Sequence, residues 1–195
     1  MAFATSLCTP LRRLLGASVL LLTVLGAQAQ VVKLATSQGD IRIELDAEKA
    51  PKTVANFLQY VKAGHYNGVI FHRVIDGFMV QTGGFTDKLV QKPTRPPIPL
   101  EDKSGLKNER GTIAMARTAF PDSATAQFFI NVADNFGLDA ENARDGRGYA
   151  VFGRVVEGME VVDKIRATPV APQGAFQHLP TTPIFINKAT VESKP

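Results

Sequence analysis

The sequence predicts a mainly β domain, a closed antiparallel β-barrel of about eight strands with two α-helices. Three observations support this fold. Short apolar segments bounded by Gly, Asp or Pro recur along the chain, whereas two segments have the spacing of an amphipathic helix. At 195 residues with 45% hydrophobic residues, the chain is long enough to fill one core. Many short strands with few helices favour a closed antiparallel barrel over a parallel α/β sheet.

Residues 1–29 are set apart as a secretory signal peptide. Arg12 and Arg13 precede an apolar run, Leu14 to Gly26, that ends in Ala27-Gln28-Ala29. Export signals share this order of charged, apolar and small residues. The alternative is an uncleaved membrane anchor, but about 13 apolar residues are fewer than the roughly 20 that cross a bilayer. We therefore expect an exported mature domain at residues 30–195, with no membrane span after cleavage.

Cysteine content and charge exclude further classes. The one cysteine, Cys8, would be removed with the signal, so the mature chain has no thiol chemistry and needs no disulfide. The net charge is +4, and removing Arg12 and Arg13 leaves +2. The remaining Lys and Arg are scattered among Asp and Glu, which gives little support for nucleic-acid binding. We expect no nucleic-acid partner.

The first elements of the mature domain are a hairpin and a helix. Apolar and polar residues alternate over Val32–Leu34 and Ile41–Leu45, on either side of a turn at Ser37–Asp40. A helix is predicted over residues 51–63. Pro51 suits its first turn, Gly64 its end, and the apolar residues have i, i+3, i+4, i+7 spacing: Val54, Phe57, Leu58 and Val61.

The remaining elements are strands, one loop and a second helix. Strands are predicted at about 69–75, 78–82, 111–116, 126–132 and 149–156. Residues 91–100 contain four prolines and are predicted to form an extended surface loop, or alternatively a proline-rich recognition motif. A helix over 158–167 has Val161, Val162 and Ile165 as its apolar stripe, and a last strand runs from Ile184 to Val191.

The search for familiar catalytic groups finds none. His65, His72 and His178 lack the spacing of metal ligands, and no Gly-x-Ser-x-Gly, Gly-x-Gly-x-x-Gly or Walker sequence is present. What remains is an arginine and a glutamine among large apolar residues. In a hairpin that turns at Asp76-Gly77, Arg73 and Gln81 lie on one face of neighbouring strands. No metal or cofactor is expected.

Three ordered blocks of the chain resemble the cyclophilins, a family of peptidyl-prolyl cis-trans isomerases. They are Phe71-His72-Arg73-Val74-Ile75-Asp76-Gly77-Phe78-Met79-Val80-Gln81, Gln127-Phe128-Phe129-Ile130 and Val151-Phe152-Gly153. The resemblance covers about Val32 to Val191. It implies an eight-stranded antiparallel barrel closed by a helix at each end, a substrate groove on its outer wall, and proline-containing polypeptides as partners. The departures from many eukaryotic members resemble the bacterial branch, so the periplasm is the expected location.

The resemblance also implies roles for individual residues. Arg73 is the expected catalytic residue, with Gln81 orienting it or the substrate carbonyl. The residues expected to line the proline pocket are Phe78, Met79, Phe129 and Leu138. The substrate chain would be held by Gln81, Gln127 and the backbone of Ala116 and Arg117. Tyr149 is also expected to bind the substrate, and it stands where many members have histidine. Arg117 stands where asparagine is common, and Gly137 where tryptophan is common.

Each of these residues also has a simpler interpretation. Arg73 could be a solvated strand residue, Phe78, Met79 and Phe129 could belong to the core, and the glutamines could be strand-edge polar groups. His72 is interpreted as a structural histidine. At the level of the whole chain, the rivals to an enzyme are a proline-segment-binding chaperone module and a structural envelope protein. Nothing in the sequence requires more than a monomer.

Overall fold

A computed structural model of the chain describes residues 1–2, 30–144 and 146–192. Apart from Met1 and Ala2, the predicted signal peptide lies outside the described residues. Within the described part, no helix has both the length and the apolar character to cross a membrane.

The described domain contains the two predicted helices and eleven strands. The strands are β1 Val31–Thr36, β2 Gly39–Leu45, β3 Val69–Ile70, β4 Arg73–Ile75, β5 Met79–Thr82, β6 Thr112–Met115, β7 Phe128–Asn131, β8 Val151–Glu157, β9 Val170–Gln173, β10 Phe176–Pro180 and β11 Phe185–Glu192. The helices are α1 Pro51–Lys62 and α2 Met159–Arg166. Both predicted helices are therefore confirmed, and each of the eight segments predicted as strand contains strand, within a few residues at its ends.

Nine strands form one curled antiparallel sheet, in the order β3-β11-β1-β2-β8-β6-β7-β5-β4. The predicted mainly β antiparallel fold with two helices is confirmed, but the sheet is curled rather than fully closed, and residues 69–75 are two strands rather than one. The break is at Phe71 and His72. Phe71 N–H donates to Ile184 O (2.9 Å), beside β11, whereas His72 N–H donates to Gln81 O (3.1 Å) on β5. One continuous segment thus supplies both end strands of the sheet, and the sheet curls because those ends are neighbours in sequence.

The hairpin at the start of the domain has the predicted alternation of buried and solvent-facing residues. Leu34 pairs with Ile41 and Val32 with Ile43, and all four side chains face the core. The turn ends at Gly39, where φ is +130° and an added Cβ would lie 2.8 Å from Val161 Cγ2. A side chain at this position would be strained and would also clash with the Val161 side chain on α2.

The core lies inside the curled sheet and is centred on α1. Pro51 occupies the first turn of α1, and the predicted apolar stripe is buried. The Phe57 ring from this helix lies 5.3 Å from Tyr66, 5.3 Å from Phe128 and 5.2 Å from Phe152, measured between centroids. On α2, Val161, Val162 and Ile165 are buried as predicted. The aromatic rings join α1 to β7 and β8, so they fix the inner face of the strands that carry the site.

A two-stranded ribbon of β9 and β10 was not predicted. Its sequence has no alternating apolar pattern: every residue of β9 is exposed, and Pro172, Gly174 and Pro180 interrupt the segment. The ribbon is held by Phe176, whose ring lies 5.0 Å from Phe85 at close to a right angle. Residues 91–100 form no named strand, as predicted, and make only the isolated bridges Phe85–Gln91 and Ile98–Ala124.

Candidate active site

The sheet register brings three of the predicted site residues, Arg73, Gln81 and Phe129, into one row on the outer wall. Arg73 pairs with Gln81, Gln81 with Phe129, Phe129 with Ala114, and Ala114 with Val151. Residues that pair directly across strands point to the same face of the sheet. The row therefore crosses five strands, from the exposed arginine on β4 to the apolar residues on β7, β6 and β8.

The apolar part of this row forms a cluster that is separate from the core. Met79, Ala114, Phe129 and Val151 are its buried members. Partly buried apolar residues surround them: Ile75, Phe78, Leu106, Ala116, Leu138 and Tyr149. We call these ten residues the outer cluster. It contains every apolar residue that the sequence predicted for substrate binding.

The alternate residues of the same strands belong to the core. Phe128 and Ile130 flank Phe129 on β7 and are fully buried in the core. Because side chains alternate along a strand, β7 carries core residues on one face and outer-cluster residues on the other. The predicted division between Phe128 and Ile130 on one side and Phe129 on the other is confirmed.

Arg73 lies at the edge of the outer cluster and is exposed to solvent. Its Nη1 donates to Gln81 Oε1 at 3.3 Å and lies 3.9 Å from Met79 Sδ. Its Cζ is 5.8 Å from the centroid of the Phe78 ring. Arg73 makes no ion pair with any described residue. The guanidinium is thus oriented by neutral neighbours, and its remaining N–H groups can donate to a bound molecule.

Gln81 connects Arg73 to the second predicted glutamine. Gln81 accepts from Arg73 through Oε1, and its Nε2 donates to Gln127 Oε1 at 2.9 Å. Both side chains are partly exposed. The three residues form a chain of hydrogen bonds along one side of the apolar cluster, so the orientation of each amide depends on the next.

His72 is buried directly beside this polar edge. Its ring lies 4.8 Å from the Phe85 ring and 6.1 Å from that of Phe176, and no described residue accepts from or donates to its Nδ1. Burial lowers the His72 pKa to about 4, only partly offset by the nearby Ile70 carbonyl and Gln127 side chain. The ring is therefore neutral at pH 7, which agrees with the structural interpretation of this histidine.

Arg117 holds two loops together beside the cluster. Its guanidinium donates to three backbone carbonyls: Nε to Gly148 O (2.9 Å), Nη2 to Arg147 O (2.8 Å) and Nη1 to Thr118 O (3.1 Å). Its Cζ lies 4.8 Å from the centroid of Tyr149, whose ring packs edge-on against Phe129 at 5.7 Å. The side chain thus positions the tyrosine wall of the cluster.

One internal hydrogen bond reduces the number of Ala116–Arg117 main-chain groups that could bind a substrate. Ala116 N–H donates to Gln127 O at 3.0 Å, so this donor is already used within the protein. A substrate would have to bind the other main-chain groups of the pair. The structure brings Ala116, Arg117 and Gln127 together, and their substrate contacts stay predictions.

A buried polar network behind the cluster was missed at the level of sequence. Asn131 Nδ2 donates to Thr112 Oγ1 (2.9 Å) and to Asn108 Oδ1 (3.2 Å), and Asn135 Nδ2 donates to Phe78 O (2.7 Å). Asp139 accepts from both the main chain and the side chain of Asn108 at 2.9 Å, just after the turn that carries Leu138. The network fixes the segments on which Phe78 and Leu138 lie. Its one sequence signal was the polar run that follows β7.

The site thus defines a class of protein with an apolar cluster on its outer wall, bordered by two side-chain amides and one arginine, and suited to an apolar ligand that carries a carbonyl group. No group of three or more metal-ligating side chains lies together among the described residues.

Comparison with known proteins identifies the family. Residues 31–191 match the family model of the cyclophilin type peptidyl-prolyl cis-trans isomerases. The chain is 56% identical over 163 residues to peptidyl-prolyl cis-trans isomerase A of Dickeya dadantii, covering 84% of this chain and 85% of the relative. It is 51% identical over 162 residues to peptidyl-prolyl cis-trans isomerase B of Escherichia coli, covering 83% and 99%. The chain therefore belongs to the cyclophilin-type peptidyl-prolyl cis-trans isomerases, and it is an enzyme of that activity.

Solved structures agree with this fold. A crystal structure of a Cryptosporidium parvum cyclophilin type isomerase has a TM-score of 0.71 and 27% identity, covering 86% of this chain and 99% of that chain. A second crystal structure of that protein, obtained in the presence of the dipeptide Ala-Pro, has a TM-score of 0.70 and covers 85% and 100%.

Proposed function

We propose that Arg73 is the catalytic residue of this isomerase and that the outer cluster is its proline pocket. The observation that carries the proposal is the position of the Arg73 guanidinium, which lies at the edge of the outer cluster and is held by Gln81 and Met79. A proline ring packed against Phe129 would place its peptide bond near that guanidinium, because Arg73 and Phe129 both pair with Gln81 in adjacent strands.

The chemistry requires one well-placed donor. Rotation about a peptide bond breaks amide resonance and has a barrier of about 18–20 kcal/mol, so uncatalysed X-Pro isomerisation takes tens to hundreds of seconds. As the bond twists, the proline nitrogen becomes pyramidal and gains a lone pair. A guanidinium that donates to this lone pair stabilises the twisted state more than the planar one, which is differential binding of the transition state.

The other groups supply grip and orientation. Phe78, Met79, Phe129 and Leu138 would hold the proline ring and exclude water, which strengthens the hydrogen bond from Arg73. Tyr149 would form one wall of this pocket, since Arg117 positions it. Gln81 orients Arg73, while Gln127 and the Ala116–Arg117 main chain hold the substrate on one side of the bond. The other side is then free to rotate.

The substrates we propose are proline-containing segments of unfolded or folding polypeptides. We also propose that the protein acts as a monomer and has no nucleic-acid partner. The test is a refolding reaction limited by proline isomerisation. Arg73→Ala should slow catalysis by about 2–4 kcal/mol of barrier, the effect of losing one preorganised donor. The matched control is Arg95→Ala, because Arg95 is an exposed arginine on the proline-rich loop. This variant should keep the wild-type rate. An Arg73→Ala enzyme with full activity would contradict the assignment.

The alternative function is a chaperone module that binds proline segments and whose turnover is incidental. The apolar outer cluster favours it, since such a surface binds unfolded chains whether or not Arg73 acts. The two functions separate when Arg73→Ala is assayed for suppression of client aggregation. If the protein is a chaperone, Arg73→Ala should still suppress aggregation although its isomerase activity is lost. If its clients need isomerisation, Arg73→Ala should lose both activities.

We further propose that the protein acts in the periplasm after removal of residues 1–29. The sequence support is the basic, apolar and small-residue order of this segment. Mass spectrometry of the protein from a periplasmic extract should give a chain that begins at Gln30. A full-length chain in the cytoplasmic fraction would contradict the proposal.

A further inference from the structure

Phe120 is the most exposed large apolar residue in the described part of the domain. Its exposed fraction is 77%, compared with 60% for Val90 and 46% for Phe136. Isolated apolar residues on a surface are common and by themselves indicate no function. The position and the rigidity of the loop that carries Phe120 are therefore what matter.

The loop begins and ends at the proposed groove. Its neck is closed by the hydrogen bond from Ala116 N–H to Gln127 O, and Ala116 packs against the outer cluster. Phe120 is four residues from Ala116, so their Cα atoms are at most about 14 Å apart. An extended peptide advances about 3.3 Å per residue, so a chain that leaves the groove in this direction reaches Phe120 within about four residues.

Local hydrogen bonds hold the tip of the loop. Thr118 N–H donates to Ser123 Oγ (2.9 Å), Ser123 Oγ–H donates to Phe120 O (2.6 Å), and Phe120 N–H donates to Thr118 Oγ1 (3.2 Å). Arg117 Nη1 is bonded to Thr118 O at the base of the same turn. Pro121, next to Phe120, restricts the backbone further. The Phe120 ring is therefore carried by a loop whose backbone is already ordered. A ligand that binds to this ring would cost the loop little conformational entropy.

We infer that Phe120 is an accessory substrate-binding residue, which contacts a large apolar side chain about three or four residues away from the isomerising proline. Such side chains are exposed in unfolded segments and buried in folded ones. The contact would make the enzyme prefer prolines in the apolar parts of unfolded chains. The inference rests on the proposed function, because it assumes that the outer cluster holds the proline.

The experiment measures kcat/KM on pairs of ten-residue proline peptides that differ at one position. In each pair, a Phe or a Ser stands three or four residues before the proline, or three or four residues after it. In at least one register, the wild-type enzyme should prefer the Phe peptide by about threefold to tenfold, the range expected of one aromatic contact. Phe120→Ser should remove this preference by raising the KM for the Phe peptide. Phe120→Leu, which keeps an apolar side chain, should retain part of the preference.

Val156→Ala is the matched control, because Val156 is an exposed apolar residue on β8 that is outside the outer cluster. It should keep the wild-type ratio in every register. Equal Phe-to-Ser ratios for wild type and Phe120→Ser in all registers would overturn the inference. Failure of the proposed function gives a different result, since wild type and Arg73→Ala would then turn over all of the peptides equally.

Discussion

Phe128 and Phe129 are neighbours on β7, yet they belong to two different regions of the molecule. Phe128 points into the core, where its ring meets Phe57 and Tyr66. Phe129 points to the outer wall, where its ring meets Tyr149. Both side chains are buried, with 0% and 4% of their surface exposed. Burial therefore does not distinguish the two regions, and the residues around each cluster do.

The core lies between the curled sheet and the two helices, whereas the outer cluster ends at polar side chains. Arg73, Gln81 and Gln127 are hydrogen-bonded to one another along its edge. A region with such an edge can bind an apolar ring and an amide together. β7 therefore has one face that stabilises the core and another that forms part of the proposed substrate site.

The largest expected effect is on stability, in Phe128→Ala. Removing a buried aromatic side chain from a core costs about 3–5 kcal/mol of unfolding free energy, which urea denaturation measures. The kcat/KM of the folded fraction should change little. Phe129→Ala, its matched partner, should lose less stability but most of its kcat/KM, because its ring would form part of the proline pocket. Equal losses of kcat/KM in the folded fraction of both variants would show that the two faces of β7 do not differ in function.

The next effect is the pH dependence of stability caused by His72, a polar residue buried beside Arg73. Because burial holds its pKa at about 4 in the folded chain, against about 6.5 unfolded, the unfolded state binds more protons between these values. His72 thus favours folding fully above about pH 6.5, and this contribution, about 3 kcal/mol, is lost as the pH falls towards 4.

The measurement is urea unfolding from pH 4 to 7. His72→Gln should flatten the dependence, leaving a residual slope from His65, whose pKa burial also lowers. A wild-type slope in His72→Gln would show that this histidine is not the titrating group.

The smallest effect concerns the polar edge, in Gln81→Ala. The variant loses the acceptor that orients Arg73, and a single hydrogen bond of this kind contributes about 1 kcal/mol. We expect kcat/KM to fall by about fivefold, with unfolding free energy nearly unchanged. Gln81 should act through Arg73, so Gln81→Ala should have little further effect in an Arg73→Ala background. Strictly additive effects would separate the two residues.

The sequence predicted the core and the row of site residues because both follow local periodicity. Alternation along β7 assigned Phe128 to the core and Phe129 to the outer wall, and the Asp76-Gly77 turn placed Arg73 opposite Gln81. The contacts that join distant segments were not predictable in this way. Arg117 bonds to Gly148 and Arg147 across about 30 residues, and no spacing rule connects them.

The end strands of the sheet also could not be predicted from local sequence patterns. Residues 69–75 have the apolar character of one strand, and the division at Phe71 and His72 arises because the two halves pair with different partners, near β11 and on β5. The β9–β10 ribbon depends on the contact between Phe176 and Phe85, which the exposed sequence of β9 does not indicate.

We propose that Arg73 stabilises the twisted transition state rather than the bound substrate. NMR exchange spectroscopy on a proline peptide, at several enzyme concentrations, separates the interconversion rate on the enzyme from the Kd. We predict that Arg73→Ala lowers the on-enzyme rate by roughly 30-fold to 1,000-fold, with Kd changed by less than about threefold. An unchanged on-enzyme rate together with a large rise in Kd would contradict the account, because Arg73 would then be a binding residue alone.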